Sequence, residues 1–116
     1  MKDELYVYVA GPYRLGDPCV NVKNMLDVAD ELLNLGYFPY APLLNHFWHF
    51  LHPHDEQVWL DLDIAWLKQC DCVLRIPGRS VGADMEEALA VEMGKPVFNF
   101  IAELVQYAPL EEEGDE

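Results

Sequence analysis

The feature that most constrains this chain is its alternation of short apolar, β-rich runs with longer stretches of helical periodicity. Leu5 to Ala10 (LYVYVA), Tyr37 to Ala41, Cys72 to Ile76 (CVLRI) and Val97 to Phe100 (VFNF) have the length and composition of buried strands. Between the first two, Val22, Met25, Leu26, Ala29, Leu32 and Leu33 recur at helical spacing, with Asn21 as the expected cap and Gly36 as the stop. A second helix is predicted over Asp55 to Gln69 and a third after Ser80, closed by Gly94 and Lys95-Pro96. Residues 101–107 make one or two final helical turns, and residues 42–55 read as a long loop rich in histidine and aromatic residues. Strands that alternate with helices imply βαβ units with right-handed crossovers. The expected fold is α/β: a three-layer Rossmann-like (flavodoxin-like) parallel sheet of four to five strands flanked by helices. In such folds ligands bind beyond the carboxyl ends of the strands, near the switch point in strand order. That directs attention to Gly11–Pro18, after the first strand, and Pro77–Gly82, after the third.

With 116 residues the chain has room for one core. Residues 1–107 are expected to form a single domain, followed by an acidic tail at 108–116 that ends in EEEGDE. Seven basic residues against 21 acidic ones give a formal net charge of −14, a field that repels phosphate backbones and argues against polymeric nucleic acid as a partner. No run is long and apolar enough to span a membrane, the N-terminus lacks a signal-peptide pattern, and KDEL at residues 2–5 stands at the wrong end for a retention signal. The odd count of three cysteines argues against a disulfide framework and for a reducing, cytoplasmic setting.

Several residues carry possible chemistry. GPYRLGD (11–17) matches neither G-x-G-x-x-G nor a P-loop, yet Gly11 and its neighbours offer backbone N–H groups, Tyr13 an aromatic ring and Arg14 a guanidinium suited to a phosphate or carboxylate. The plain alternative is a tight turn with an exposed arginine. Trp59, Asp63 and Trp66 fall on one helix face, and an aspartate between two indoles would be desolvated toward the range where it donates a proton. Otherwise Asp63 lies at the wet edge of an amphipathic helix. Around RSVGADMEEALA (79–90), Ser80, Gly82 and the preceding Gly78 lead into a helix whose first turns hold Asp84, Glu86 and Glu87. A buried glutamate there would be held ionised by the helix terminus, as suits a nucleophile or base, with the other glutamate as a solvated neighbour. Periodicity alone does not decide between Glu86 and Glu87. His46, His49, His52 and His54 match no standard zinc spacing, and with Phe47, Trp48 and Phe50 they read as an aromatic lid, not a metal site. Cys70 and Cys72 read as core residues on opposite faces.

Taken together, YVAGPYR, the D-I-A-W-L run at 63–67, CDCVLRIPG, S-V-G-A-D-M-E at 80–86 and GKPVF resemble the nucleoside 2-deoxyribosyltransferase superfamily, which includes the 2'-deoxynucleoside 5'-monophosphate N-glycosidases. The match runs from about residue 5 to residue 100. The resemblance implies a catalytic glutamate one turn into the helix after the third strand, which selects Glu86, and an acid/base aspartate, which falls on Asp63. It places Gly11, Tyr13 and Arg14 in the sugar and phosphate loop, and Ser80 and Gly82 where the monophosphate hydrolases bind phosphate. Transferases that act on free nucleosides commonly carry aspartate at the position of Ser80, so serine tilts the expected substrate toward a 5'-monophosphate.

The function this implies is cleavage of the N-glycosidic bond of a nucleoside or its 5'-monophosphate, by hydrolysis or by transfer, with no cofactor and no metal. The alternatives are a non-catalytic nucleotide-binding module on the same fold and, more remotely, metal-dependent hydrolysis through the histidine run. Trp48, Trp59, Trp66, Phe47 and Phe50 exceed what a small core needs, so a homodimer or a dimer of dimers is expected.

Overall fold

The computed structural model describes residues 4–110. Four parallel strands, β1 (Tyr6–Ala10), β2 (Phe38–Tyr40), β3 (Cys72–Arg75) and β4 (Val97–Phe98), form one sheet in the order β2-β1-β3-β4. Tyr6 pairs with Phe38 on one side of β1, and Val7 pairs with Cys72 on the other. Strand order therefore reverses between β1 and β3, and the switch point expected for a parallel α/β sheet falls between them.

Side-chain alternation along β1 and β3 builds the two layers. Val7, Val9, Cys72 and Leu74 face one side, where they meet Met25, Ala29 and Leu32 of α1 (Pro18–Leu35) and Leu104 of α5 (Ile101–Tyr107). Tyr8, Ala10 and Val73 face the other, where Leu67 of α3 (Glu56–Gln69) and Ala83 and Ala90 of α4 (Val81–Glu92) cover them. Cys70 and Cys72 are buried in opposite layers. Lys95 donates to the carbonyls of Leu67, Lys68 and Cys70, and so closes the C-terminus of α3.

Three sequence expectations need correction. Helix α1 begins earlier than expected. Asp17 is its N-cap, accepting from the Cys19 N–H, and Pro18 opens the first turn. Asn21 instead donates back to the carbonyls of Tyr13 and Leu15 and folds the β1–α1 loop onto the helix. The segment 42–55 is not all loop: it contains a 3₁₀ turn at Pro42–Leu44 and the short helix α2 (Asn45–Leu51). Trp59, expected among the aromatic residues left over by the core, is half-buried, because its indole N–H donates to His49 of α2 and its ring meets Trp48, His49 and His54. Of the segment expected as a tail, Ala108 accepts a hydrogen bond from Tyr37 and Leu110 packs on the α1 layer, while residues 111–116 lie outside the described residues.

Candidate active site

Two loops meet at the switch point. The Ile76 N–H donates to the Ala10 carbonyl, and a Cβ on Gly11 would stand 3.0 Å from the Ile76 Cβ, so β1 and β3 approach closely as they leave the sheet. Beyond them Gly78, at φ +130°, packs so near Pro12 that any Cβ would stand 2.6 Å from the proline ring.

Under these loops, on the α3/α4 side, two carboxyls face the sheet. Tyr8 of β1 donates its hydroxyl to Glu86 Oε2 at 2.6 Å. Asp63 of α3 accepts on one oxygen, Oδ1, from the Tyr40 hydroxyl at 3.2 Å and from Asn45 Nδ2 at 3.1 Å. The Tyr40 ring packs against Tyr8 and stacks on Trp66, with centroids 5.3 Å apart. Both carboxyls are half-buried.

Their protonation follows from burial and from each other. Desolvation, then the nearby charge of Glu86, raises Asp63 from 3.8 to about 7, against a smaller downward pull from the Tyr40 hydrogen bond. Burial also raises Glu86, but the Tyr8 hydrogen bond and the positive charge of Arg75 oppose it. The helix terminus was expected to keep this glutamate readily ionised; burial instead pushes it upward, and Tyr8 and Arg75 do the opposing. Burial and the Glu86 and Asp63 charges push the Tyr8 phenol far above its ordinary value, so it stays a donor. Tyr40 is raised to about 12, chiefly by burial. The Glu86 charge thus acts to hold the proton on Asp63, which at about 7 is divided between its two forms near neutral pH.

Over residues 5–100 the sequence matches a family described as a domain of unknown function (DUF7768). The chain belongs to this family. No curated protein matches it. Among solved structures, the DUF7768 chain is similar to a 2-deoxyribosyltransferase from the psychrotolerant bacterium Bacillus psychrosaccharolyticus. The TM-score is 0.62 at 22% identity, over 79% of this chain and 69% of that one. That likeness establishes a shared fold, in keeping with the sequence resemblance to the deoxyribosyltransferases.

The other predicted site residues of the DUF7768 chain lie in the β1–α1 loop and at the start of α4. Ser80 is the N-cap of α4: its Oγ accepts from the Ala83 N–H at 3.0 Å. Gly82 is exposed in the first turn of that helix, with open space where a Cβ would stand. Tyr13 turns toward α2, its hydroxyl 2.6 Å from His46 Nδ1. Arg14 pairs at the surface with Glu56, the first residue of α3. Asp63 is not sandwiched between indoles, because Trp59 is drawn to α2; Tyr40 and Asn45 provide its walls. Glu87, expected as a solvated neighbour, has an oxygen 3.4 Å from the Arg75 guanidinium.

Four residues at the site were not singled out in the sequence: Tyr8, Tyr40, Asn45 and Arg75. Two of them left a signal. A tyrosine inside LYVYVA and an arginine inside CVLRI each place a polar group in a strand buried on both faces, and such a group must find a partner.

Proposed function

We propose that this chain is an enzyme that cleaves the N-glycosidic bond of a nucleoside or its 5'-monophosphate, and that it works as the nucleoside 2-deoxyribosyltransferases do. The observation that carries the reading is the pair of half-buried carboxyls on different helices, with Glu86 bonded to Tyr8 and Asp63 raised by burial and by the Glu86 charge to about 7. Cleavage of this bond needs that pair: C1' becomes oxocarbenium-like and calls for an adjacent anion, and a nucleobase leaves poorly unless protonated.

Tyr8 occupies Oε2 of Glu86, so Oε1 attacks C1'. As the C1'–N bond breaks, its electron pair goes to the base nitrogen, which takes the proton from Asp63. Both hydrogen bonds to Asp63 arrive at Oδ1, so the transferred proton belongs on Oδ2. The products are free base and a glycosyl ester on Glu86. Water, or the nitrogen of a second base, then attacks C1'; the ester bond breaks, Glu86 regains its carboxylate, and Asp63 recovers a proton from the incoming group.

For the sugar and phosphate, the reading assigns the Gly11–Arg14 loop together with Ser80 and Gly82. Arg14 and Glu56 are both largely exposed, so their ion pair is weak and exchanges readily for a phosphate. Ser80 keeps its hydroxyl hydrogen free to donate while Oγ caps the helix.

The test is a panel of nucleosides and their 5'-monophosphates, with and without an acceptor base, followed by chromatography of free and exchanged base. Release from at least one is expected. Binding without any release across the panel would instead favour the non-catalytic nucleotide-binding module.

A further inference from the structure

Among the described residues Arg75 is the buried charged side chain, 7% exposed on β3. A guanidinium is costly to bury unless its donors are matched. Here Nη1 donates to the Ile76 carbonyl at 3.0 Å, and Nη2 donates to the Gly78 carbonyl at 2.9 Å and to Asp84 Oδ1 at 2.8 Å. Nε lies 3.4 Å from Glu87 Oε1. One planar group thus joins the end of β3, the loop pressed against Pro12, and two turns of α4 on either side of Glu86.

We propose that Arg75 is a positioning residue for Glu86. It ties the β3–α4 loop to the start of α4, and so fixes where the Glu86 carboxylate meets Tyr8, and it holds a counter-charge behind that carboxylate. The inference rests on Glu86 as the nucleophile, but its geometry stands without turnover. Glu86 is bonded to Tyr8 from β1, and Asp63 from α3 (itself bonded to Tyr40 of β2) and Arg75 from β3 lie within its electrostatic reach. Asp84 and Glu87 of α4 partly neutralise Arg75. A lysine retains the charge but not the fork that reaches Ile76, Gly78 and Asp84 together.

The test follows the Glu86 carboxyl carbon by NMR across a pH titration of the full chain, with the signal assigned by its absence in Glu86→Gln. In Arg75→Gln the ionisation midpoint should move upward, because the counter-charge is gone, and in Arg75→Lys it should return toward the parent value. In Asp84→Asn it should move downward, because Arg75 is less neutralised; the exposed Glu92→Gln on the same helix should leave it in place. Asp84 is 69% exposed, so its variant keeps the test available should Arg75→Gln fail to fold. A midpoint unchanged in a folded Arg75→Gln overturns the proposal, as does one unchanged in Asp84→Asn. A loss of thermal stability with an unmoved midpoint would mark Arg75 as a loop brace only. Because the titration needs no substrate, its failure is distinct from an absence of base release by the parent chain.

Discussion

Replacing Asp63 by asparagine should stabilise the fold at neutral and alkaline pH while it removes activity. In the folded chain Asp63 titrates at about 7, against an ordinary 3.8. The native state therefore binds this proton more tightly than the unfolded chain does. The resulting stability is fully present below the ordinary value and is lost as pH rises through the folded one. Asparagine carries no charge and can accept the same bonds from Tyr40 and Asn45 on Oδ1, so it escapes that loss. At 1.36 kcal/mol per pH unit, the advantage of Asp63→Asn has a ceiling of about 4 kcal/mol and grows by about 2 kcal/mol between about pH 5.5 and about pH 8. Denaturant unfolding at those two pH values reads the difference, and thermal scans should show a rise of several degrees at the higher one. The same variant should release base roughly 10²- to 10⁴-fold more slowly, the usual cost of losing a general acid. A variant that is no more stable than the parent at the higher pH would refute the argument that this carboxyl is held protonated by burial and by Glu86.

Three further outcomes are expected. Glu86→Ala should lose base release by several orders of magnitude, whereas Glu87→Ala, which only loosens the Arg75 ion pair, should retain most of it in the same chromatographic assay. Arg14→Ala should weaken binding of a 5'-monophosphate by roughly 10- to 100-fold in calorimetry and leave a free nucleoside nearly unaffected, since a charge-assisted hydrogen bond contributes about 1.5–3 kcal/mol. The exposed Phe47, Trp48, Phe50 and Leu51 of α2 and Trp66 of α3 should lie near a contact between copies, and light scattering should show a dimer or dimer of dimers that tightens with salt as charge repulsion is screened; a 13.3 kDa monomer at low and high salt would contradict it.

The strands were legible because each is a short apolar run bounded by glycine, proline or a helical pattern, and in β1 and β3 burial on both faces leaves that mark in composition. Helix α1 was legible for its buried positions but not for its start. Asp17-Pro18 is the stronger cap signal, while Asn21 proved to be bound to the preceding loop. Helix α2 was hidden because NHFWHFL is built from weak helix formers with no side-chain cap, and it is held by contacts to α3 and to Tyr13. Glu86 and Asp63 stood out through motif order. Their supports did not, because the Tyr8–Glu86 bond spans 78 residues and exists only once β1 and α4 are packed together. Arg75 was visible as a charge in an apolar strand, but its partners become evident only when the loop folds back over the strand end.

The most direct test of the central claim is to quench the chain in acid during turnover of a substrate found in the panel, and to weigh the intact protein and its peptides by mass spectrometry. A glycosyl adduct on the peptide that carries Glu86, absent from Glu86→Ala and lost on addition of an acceptor base or on standing in water, is the expected result. Turnover with no adduct at any time, or with an adduct on another residue, would contradict Glu86 as the nucleophile.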